Sequence, residues 1–379
     1  MNISLLTSGH DPLDDRIFYH FASSFADNGW NVEIISSKLD LKEIKAQISL
    51  NCFAGNELPK KEKIYLFIDK LSGFNPDMII CSEPLTVLAA KQYTRKVQKK
   101  ILIIYDITEW FPSKKNLESH KLLFRWFFFL KLLIFNLLVS GLADAFIFGE
   151  WYKSRPYRFL FPRKPFVFIT YYPDKKYISF LKHELSADKL RLSYSGRISL
   201  EKGFGNFINV LKELSGSEKD YKIEVKIIGW YENVKDRNEC GDLIKSLDPD
   251  ITLSFYEKQN LFEFIELIRD TDIFIDLRVN DFENSHCLPI RLFYYAALGK
   301  PVIFTNLKSV KKEVEISKFG FLVNPDDKNK IAEIISTYLR NQEFYYTHCA
   351  GARNLFETKY NWGKIEPWLL DFLNEISSC

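Results

Sequence analysis

Short apolar runs recur along this chain, and polar segments long enough for a helix separate most of them. Ile3–Thr7, Val32–Ser36, Ile64–Ile68, Met78–Cys81, Ile101–Tyr105, Ala145–Phe148 and Phe166–Ile169 read as strands. Strands alternating with helices in this way predict a parallel, doubly wound sheet. A second series begins near Leu190, with Leu192–Ser195, Ile223–Ile228, Ile251–Phe255, Ile273–Leu277, Val302–Thr305 and Phe321–Val323. The pattern therefore predicts an α/β protein of two Rossmann-like parallel-sheet domains, residues 1–173 and 190–360. They are joined by the polar, Pro-containing stretch Tyr171–Lys189. In open sheets of this kind ligands bind beyond the carboxyl ends of the strands, so the loops that follow the strands are where chemistry is expected.

Length supports the division, since 379 residues exceed what one hydrophobic core organises. An apolar share of 46% with 27% charged residues is that of an ordinary globular protein and excludes a disordered chain or a polytopic membrane protein. Aromatic residues make up 16%, with 33 Phe; core packing accounts for most such rings, though an excess also arises where a protein rests on lipid headgroups. A net charge of +3 gives no overall field for nucleic acid. The scattered cysteines Cys52, Cys81, Cys240, Cys287, Cys349 and Cys379 have no disulfide or metal-binding spacing. With an N-terminus that reads as a buried strand, they predict a cytoplasmic location.

Two stretches carry candidate chemistry. After the strand Leu192–Ser195 come Gly196, Arg197 and then Glu201-Lys202-Gly203, followed by an amphipathic helix, Phe204–Leu214. Glycines allow a tight turn, the helix offers free N–H groups, and Arg197 and Lys202 add full positive charges: together they form a seat for a diphosphate. A solvated turn with two surface cations is the plainer alternative. The second stretch is a polar loop, Arg278–Cys287, leading into a predicted helix Leu288–Leu298 that Pro289 opens and Gly299 stops. Its N-terminus is expected to share the anion.

These stretches resemble glycosyltransferase family 4 of the GT-B fold. The resemblance rests on Gly196-Arg197 with Glu201-Lys202-Gly203, and on Leu288-Pro289-Ile290-Arg291 leading through Ala296-Ala297-Leu298-Gly299-Lys300-Pro301-Val302. In the first half, His10-Asp11-Pro12-Leu13-Asp14-Asp15-Arg16 and Tyr105-Asp106-Ile107-Thr108-Glu109 are similar to the family's loops. The resemblance implies sugar transfer from a nucleoside diphosphate to a glycan or lipid-linked hydroxyl in bacterial surface-polysaccharide assembly, with retention and without a metal or other cofactor. It also implies a C-terminal helix, 361–379, that completes the first domain.

By the same resemblance Asp15, Arg197 and Lys202 are catalytic. Gly9, Gly196, Glu283, His286, Leu288 and Tyr294 join Arg197 and Lys202 at the donor, and His10, Asp14, Arg16, Asp106 and Glu109 lie on the acceptor side. A surface turn before a helix accounts for Asp14 and Asp15 equally well. The family often has a pair of glutamates where this chain has His286 and Tyr294, and a phenol offers the ribose less than a carboxylate does.

Two aspartate pairs, Asp248/Asp250 and Asp270/Asp272, match a metal-binding spacing but precede strands instead of following them, so no metal site is expected. Leu122–Val139 is strongly apolar yet interrupted by Arg125 and Lys131, too charged to span a bilayer. On a helical wheel Glu118, Lys121, Arg125, Asn136 and Ser140 share one arc. With the basic and aromatic run Trp151–Lys164, this leaves two readings open: a buried helix, or peripheral contact with an anionic membrane at its inner face. No nucleic-acid motif accompanies that run, and no nucleic-acid partner is expected. A nucleotide-sugar epimerase, a non-catalytic scaffold and a membrane-tethered binding module remain alternatives to the transferase.

Overall fold

The computed structural model describes residues 1–117, 121, 124–180 and 184–378. Glu118 and Leu122 of the predicted amphipathic segment lie outside the described residues. The chain divides into two units, Met1–Tyr171 with the chain end from Ile365 onwards, and Tyr172–Lys364. Each is built on a largely parallel sheet with helices between strands, as the alternating pattern predicts.

Among the described residues the first unit holds eight strands: β1 (Asn2–Thr7), β2 (Asn31–Ser36), β3 (Lys42–Lys45), β4 (Ile48–Asn51), β5 (Met78–Cys81), β6 (Leu102–Ile107), β7 (Ala145–Phe148) and β8 (Phe166–Phe168). Their order across the sheet is β3-β4-β2-β1-β5-β6-β7-β8, and only the β3–β4 pair is antiparallel. The edge hairpin β3–β4 escapes the sequence pattern for a physical reason. Its first strand is exposed throughout, and its turn residues Ala46 and Gln47 take positive φ (49° and 65°) without the Asn-Gly signature such turns usually show.

One predicted strand is wrong. Ile64–Ile68 lies inside the helix Lys60–Phe74, whose buried residues Ile64, Phe67 and Leu71 recur at helical spacing. The continuous run Tyr65–Ile68 concealed that period, and Asn75 in the left-handed region stops the helix. Near the chain end, Phe372 and Ile376 of the last helix, Trp362–Ser377, line a cavity together with Leu102, Asp144 and Phe166 of the same unit.

Among its described residues the second unit has six strands, all parallel: β9 (Lys189–Arg197), β10 (Lys222–Trp230), β11 (Thr252–Tyr256), β12 (Ile273–Asp276), β13 (Val302–Thr305) and β14 (Gly320–Val323). Their order is β11-β10-β9-β12-β13-β14. The helix Phe204–Ser217 buries Phe204, Phe207, Ile208, Leu211 and Leu214 along one stripe, against the apolar side chains of β9, β10 and β12. The central position of β9 matters for function, because the residues at its carboxyl end are flanked by loops on both sides.

Candidate functional site

In the second unit β9 ends at Ser195-Gly196-Arg197, in register with β10 so that Gly229 faces Gly196 and Trp230 faces Arg197. A Cβ on Gly229 would lie 1.9 Å from the Gly196 carbonyl oxygen, so the strands approach more closely there than any side chain permits. Gly196 has φ of +110°, and a Cβ on it would sit 2.5 Å from Nη1 of Arg291. The glycine thus makes room for a guanidinium at the strand end. Gly203, with φ of +84°, begins the helix Phe204–Ser217, and a Cβ there would meet the Leu277 backbone at 2.2 Å. The buried Tyr194 hydroxyl holds the turn between these glycines, 2.7 Å from the Arg197 carbonyl and 3.2 Å from that of Lys202. Burial raises the Tyr194 pKa, so the phenol keeps its proton to donate.

Three cations gather around this turn, each held by polar partners. Lys202 Nζ donates to Asn284 Oδ1 at 2.8 Å and stands 3.5 Å from Glu201. Arg197 Nη2 reaches Asp236 at 3.3 Å, and its buried Nε has no hydrogen-bond partner among the described residues. Arg291 donates to Ser195 Oγ at 3.1 Å and lies 3.7 Å from Asp276, whose carboxylate is gripped at both oxygens by Arg278. Burial pushes the Asp276 pKa up, but the Arg278 and Arg291 charges outweigh it and hold the carboxyl below its usual range. Ser195 also shares a 2.7 Å hydrogen bond with Tyr295, whose ring stacks on Phe274 at 3.7 Å. Beside these groups, at the ends of β12, β13 and β14, a cavity of about 360 Å³ is lined by Val279, Asn280, Thr305, Asn306, Asn324 and Asp326.

The predicted second helix differs from expectation. It spans only Arg291–Ala297, because Pro289 and Ile290 form a turn before it, so it delivers the Arg291 side chain to the site and not a helix N-terminus. Tyr294, expected at the ribose, is buried in the apolar core near Phe264, as is Leu288 in the same cluster. Glu283 and His286 belong to the short helical turn that supplies Asn284 to Lys202; His286 Nδ1 lies 2.8 Å from the Phe282 carbonyl, an arrangement that needs a proton on Nδ1. Neither aspartate pair faces the site: Asp248 closes a turn onto Asp250, while Asp270 and Asp272 pair with Lys226 and Arg191.

The first unit organises the loop after β1 around Glu83, a residue the sequence reading passed over. Its carboxylate accepts from the Thr7 hydroxyl at 2.8 Å and from the Ser8 and Gly9 amides at 2.7 and 2.9 Å. A Cβ on Gly9 would collide with it at 2.8 Å. His10 lies 3.3 Å from Asp14 and 3.9 Å from Glu83. Burial alone would discharge its imidazole, but the hydrogen bond to Asp14 and the charges of Asp14, Glu83 and Glu109 prevail and push its pKa up to about 10. Asp14 also caps the following wide-turned helix, Asp15–Ala22, by accepting from the Arg16 amide, and an Asp15 oxygen accepts from the same amide.

Arg16 and Asp106, expected to face an acceptor, are instead buried against each other through two hydrogen bonds of 2.7 and 2.6 Å. Arg16 also donates to the Ile169 carbonyl and lies between the rings of Phe21 and Tyr171. Glu109 remains exposed. Arg291 and Trp230 are the second unit's unforeseen site residues. The exposed indole of Trp230, with Lys258 5.8 Å from its ring, could have been suspected from its place after the strand Ile223–Ile228, whereas nothing in the sequence marks Arg291 as turning towards Gly196.

Residues 178–351 match the family of glycosyl transferases group 1. Over 205 residues the chain is 26% identical to the capsular polysaccharide biosynthesis glycosyltransferase CapM of Staphylococcus aureus, a match covering 51% of this chain and 49% of that relative. The match thus spans about half the length of the curated relative. Among solved structures, sucrose-phosphate synthase from Thermosynechococcus elongatus superposes with a TM-score of 0.78 at 14% identity, covering 100% of this chain and 99% of that one. Anabaena HepE in complex with UDP and glucose superposes with a TM-score of 0.72 at 12% identity, covering 99% and 100%. At such identities the likeness is one of fold. The chain is therefore a two-unit protein of the GT-B fold, and its residues 178–351 match the family of glycosyl transferases group 1.

Proposed function

We propose that this protein transfers a sugar from a nucleoside diphosphate to a hydroxyl of a glycan or lipid-linked acceptor in surface-polysaccharide assembly, with retention of configuration and without a metal. The carrying observation is the gathering of Arg197, Lys202 and Arg291 around the Gly196–Gly203 turn at the start of the helix Phe204–Ser217. Sugar transfer breaks the bond between the anomeric carbon and the diphosphate, and negative charge develops on the departing phosphate. Fixed cations and helix N–H groups aimed at that charge stabilise the transition state, the task a metal ion performs elsewhere. A phosphate oxygen of the leaving group takes the proton of the acceptor hydroxyl, so no protein nucleophile is required.

The exposed face of Trp230, one strand over from Arg197, suits a nucleobase. The UDP held by Anabaena HepE and the role of CapM in capsular polysaccharide biosynthesis support the donor class and the pathway class. On this reading the acceptor is presented at the cytoplasmic face of a membrane, where the chain works as a peripheral protein. A non-catalytic relative is the second reading, favoured by Tyr294 lying buried where the family often has a carboxylate. Turnover separates them. With a panel of labelled nucleotide sugars and a membrane extract as acceptor, we expect transfer from one donor, reduced at least about a hundredfold in Lys202→Ala. Transfer that is unchanged in Lys202→Ala, or absent with every donor, overturns the assignment.

A further inference from the structure

The helix Arg125–Ser140 of the first unit has its amphipathicity inverted. Its polar residues Asn136 and Ser140 face inward, where Asn136 donates to Tyr157 and to the Phe111 carbonyl, and Ser140 bonds back to Asn136. Its outward face carries Trp126, Phe127, Ile134 and Leu138, between 56% and 70% exposed, with Leu130 between them. At about 100° per residue these five side chains fall within a stripe about 120° wide, which runs the length of a helix about 24 Å long. A surface helix in water is arranged the other way round. Contiguous exposed apolar area of this kind marks an interaction surface.

Charge decides what covers it. From Lys121 to Phe166 the chain holds eight basic residues (Lys121, Arg125, Lys131, Lys153, Arg155, Arg158, Arg163, Lys164) and two acidic ones, Asp144 and Glu150. Glu150 is spent on the buried pair with Lys153. Cations stand around the stripe: Lys121 ahead of the helix, Lys131 exposed on its outer side, and Arg163 beyond its end. At that end Lys164 donates to the Gly141 carbonyl, and Phe161 lies 3.6 Å from the Cβ position of Gly141, three residues past Leu138. Phe159, on the helix Trp151–Leu160, is 84% exposed as well. Among the described residues no helix is long and apolar enough to cross a membrane. An apolar stripe with cations at its two ends and along one side, on a helix too short to span, fits the headgroup boundary of an anionic bilayer.

We infer that the helix Arg125–Ser140 lies flat in the surface of an anionic membrane, with Trp126, Phe127, Leu130, Ile134 and Leu138 inserted among the lipids and Lys131, Arg155 and Arg163 on the headgroups. This deepens the reading of a membrane-presented acceptor, but its test needs neither donor nor acceptor, so the two stand or fall separately. The full chain is mixed with vesicles of phosphatidylcholine alone or with about one-third phosphatidylglycerol, and binding is read by flotation. Binding to the anionic vesicles should exceed binding to the neutral ones by at least about tenfold, with a blue shift in tryptophan emission.

Two variants test the parts of the surface. One replaces Trp126, Ile134 and Leu138 with Ser, the other replaces Lys131, Arg155 and Arg163 with Glu; all six side chains are exposed, so both variants should melt as the parent does. Each should lose vesicle binding. Binding that survives in either variant, or no binding to any vesicle, overturns the inference. So does concentration-dependent self-association in sedimentation that the serine variant abolishes while vesicles fail to bind, since the stripe then covers a second copy of the chain.

Discussion

Replacing Asp106 with Asn tests whether the loop after β1 is built on a buried ion pair. Arg16 and Asp106 are 1% and 2% exposed, joined by two short hydrogen bonds, and the remaining guanidinium nitrogen donates to Ile169. Asn keeps the shape of the carboxylate but leaves the Arg16 charge without its counter-ion in a poorly hydrated site. Removing one partner of such a pair costs about 3–5 kcal/mol. For a domain of this size 1 kcal/mol lowers the melting temperature by about 2–4 °C, so the first unit should melt about 6–20 °C earlier. Differential scanning calorimetry reads this directly. The double variant Arg16→Met with Asp106→Leu should recover most of the loss, because an apolar pair of similar volume needs no compensation. Were Asp106 a substrate-facing carboxylate, Asp106→Asn would melt within about 1 kcal/mol of the parent and lose only activity; that result, or a double variant weaker than both singles, refutes the reasoning.

Further outcomes follow from single residues. Gly203→Ala forces a Cβ onto the Leu277 backbone at positive φ; it should lower stability by more than about 1 kcal/mol in urea unfolding and abolish nucleotide binding. His10 titrates at about 10 in the folded chain against about 6.5 unfolded, so its contribution to stability is complete below about 6.5 and is lost as pH rises through about 10. Asp14→Asn removes its hydrogen-bonded anion and should bring the imidazole titration, followed by NMR, down towards neutrality. Lys300 is buried, its Nζ has no hydrogen-bond partner among the described residues, and burial drives its pKa down to about 8. Because the folded state gives up that proton first, stability should rise between pH 8 and the unfolded value near 10.4; Lys300→Met should melt higher and lose that slope, and a lower melting temperature speaks against the assignment.

The sheets were legible in the sequence wherever a strand is buried on both faces. Met78–Cys81 is an uninterrupted apolar run and Val302–Thr305 is one up to its closing Thr305, and in both the strand has the bounds that the run predicts. Elsewhere burial and sequence part company. Ile64–Ile68 looks like a core strand only because Tyr65, which is exposed, fills the gap in a helical stripe. Among the described residues the strand Lys42–Lys45 pairs with its hairpin partner and no other strand, and it carries no apolar period.

The Gly196–Gly203 turn was visible because its glycines and cations are local in sequence. Glu83 and Arg291 were not, since their significance lies in contacts made over more than 70 residues, to Gly9 and to Ser195. The arc shared by Asn136 and Ser140 was visible, but not that it faces inward: a polar stripe has no sign until the Tyr157 hydroxyl and the Phe111 carbonyl are found beneath it.

The central claim is that the carboxyl end of β9 is a seat for a diphosphate. Isothermal titration with uridine, guanosine, adenosine and thymidine diphosphates tests it most directly, using the parent chain, Arg291→Ala and Trp230→Ala. The account predicts that one nucleotide binds without added magnesium, at least about tenfold weaker in Arg291→Ala, and weaker by about 1–3 kcal/mol in Trp230→Ala through lost base stacking. Failure of all four to bind, or equal affinity in the parent and Arg291→Ala, would contradict it.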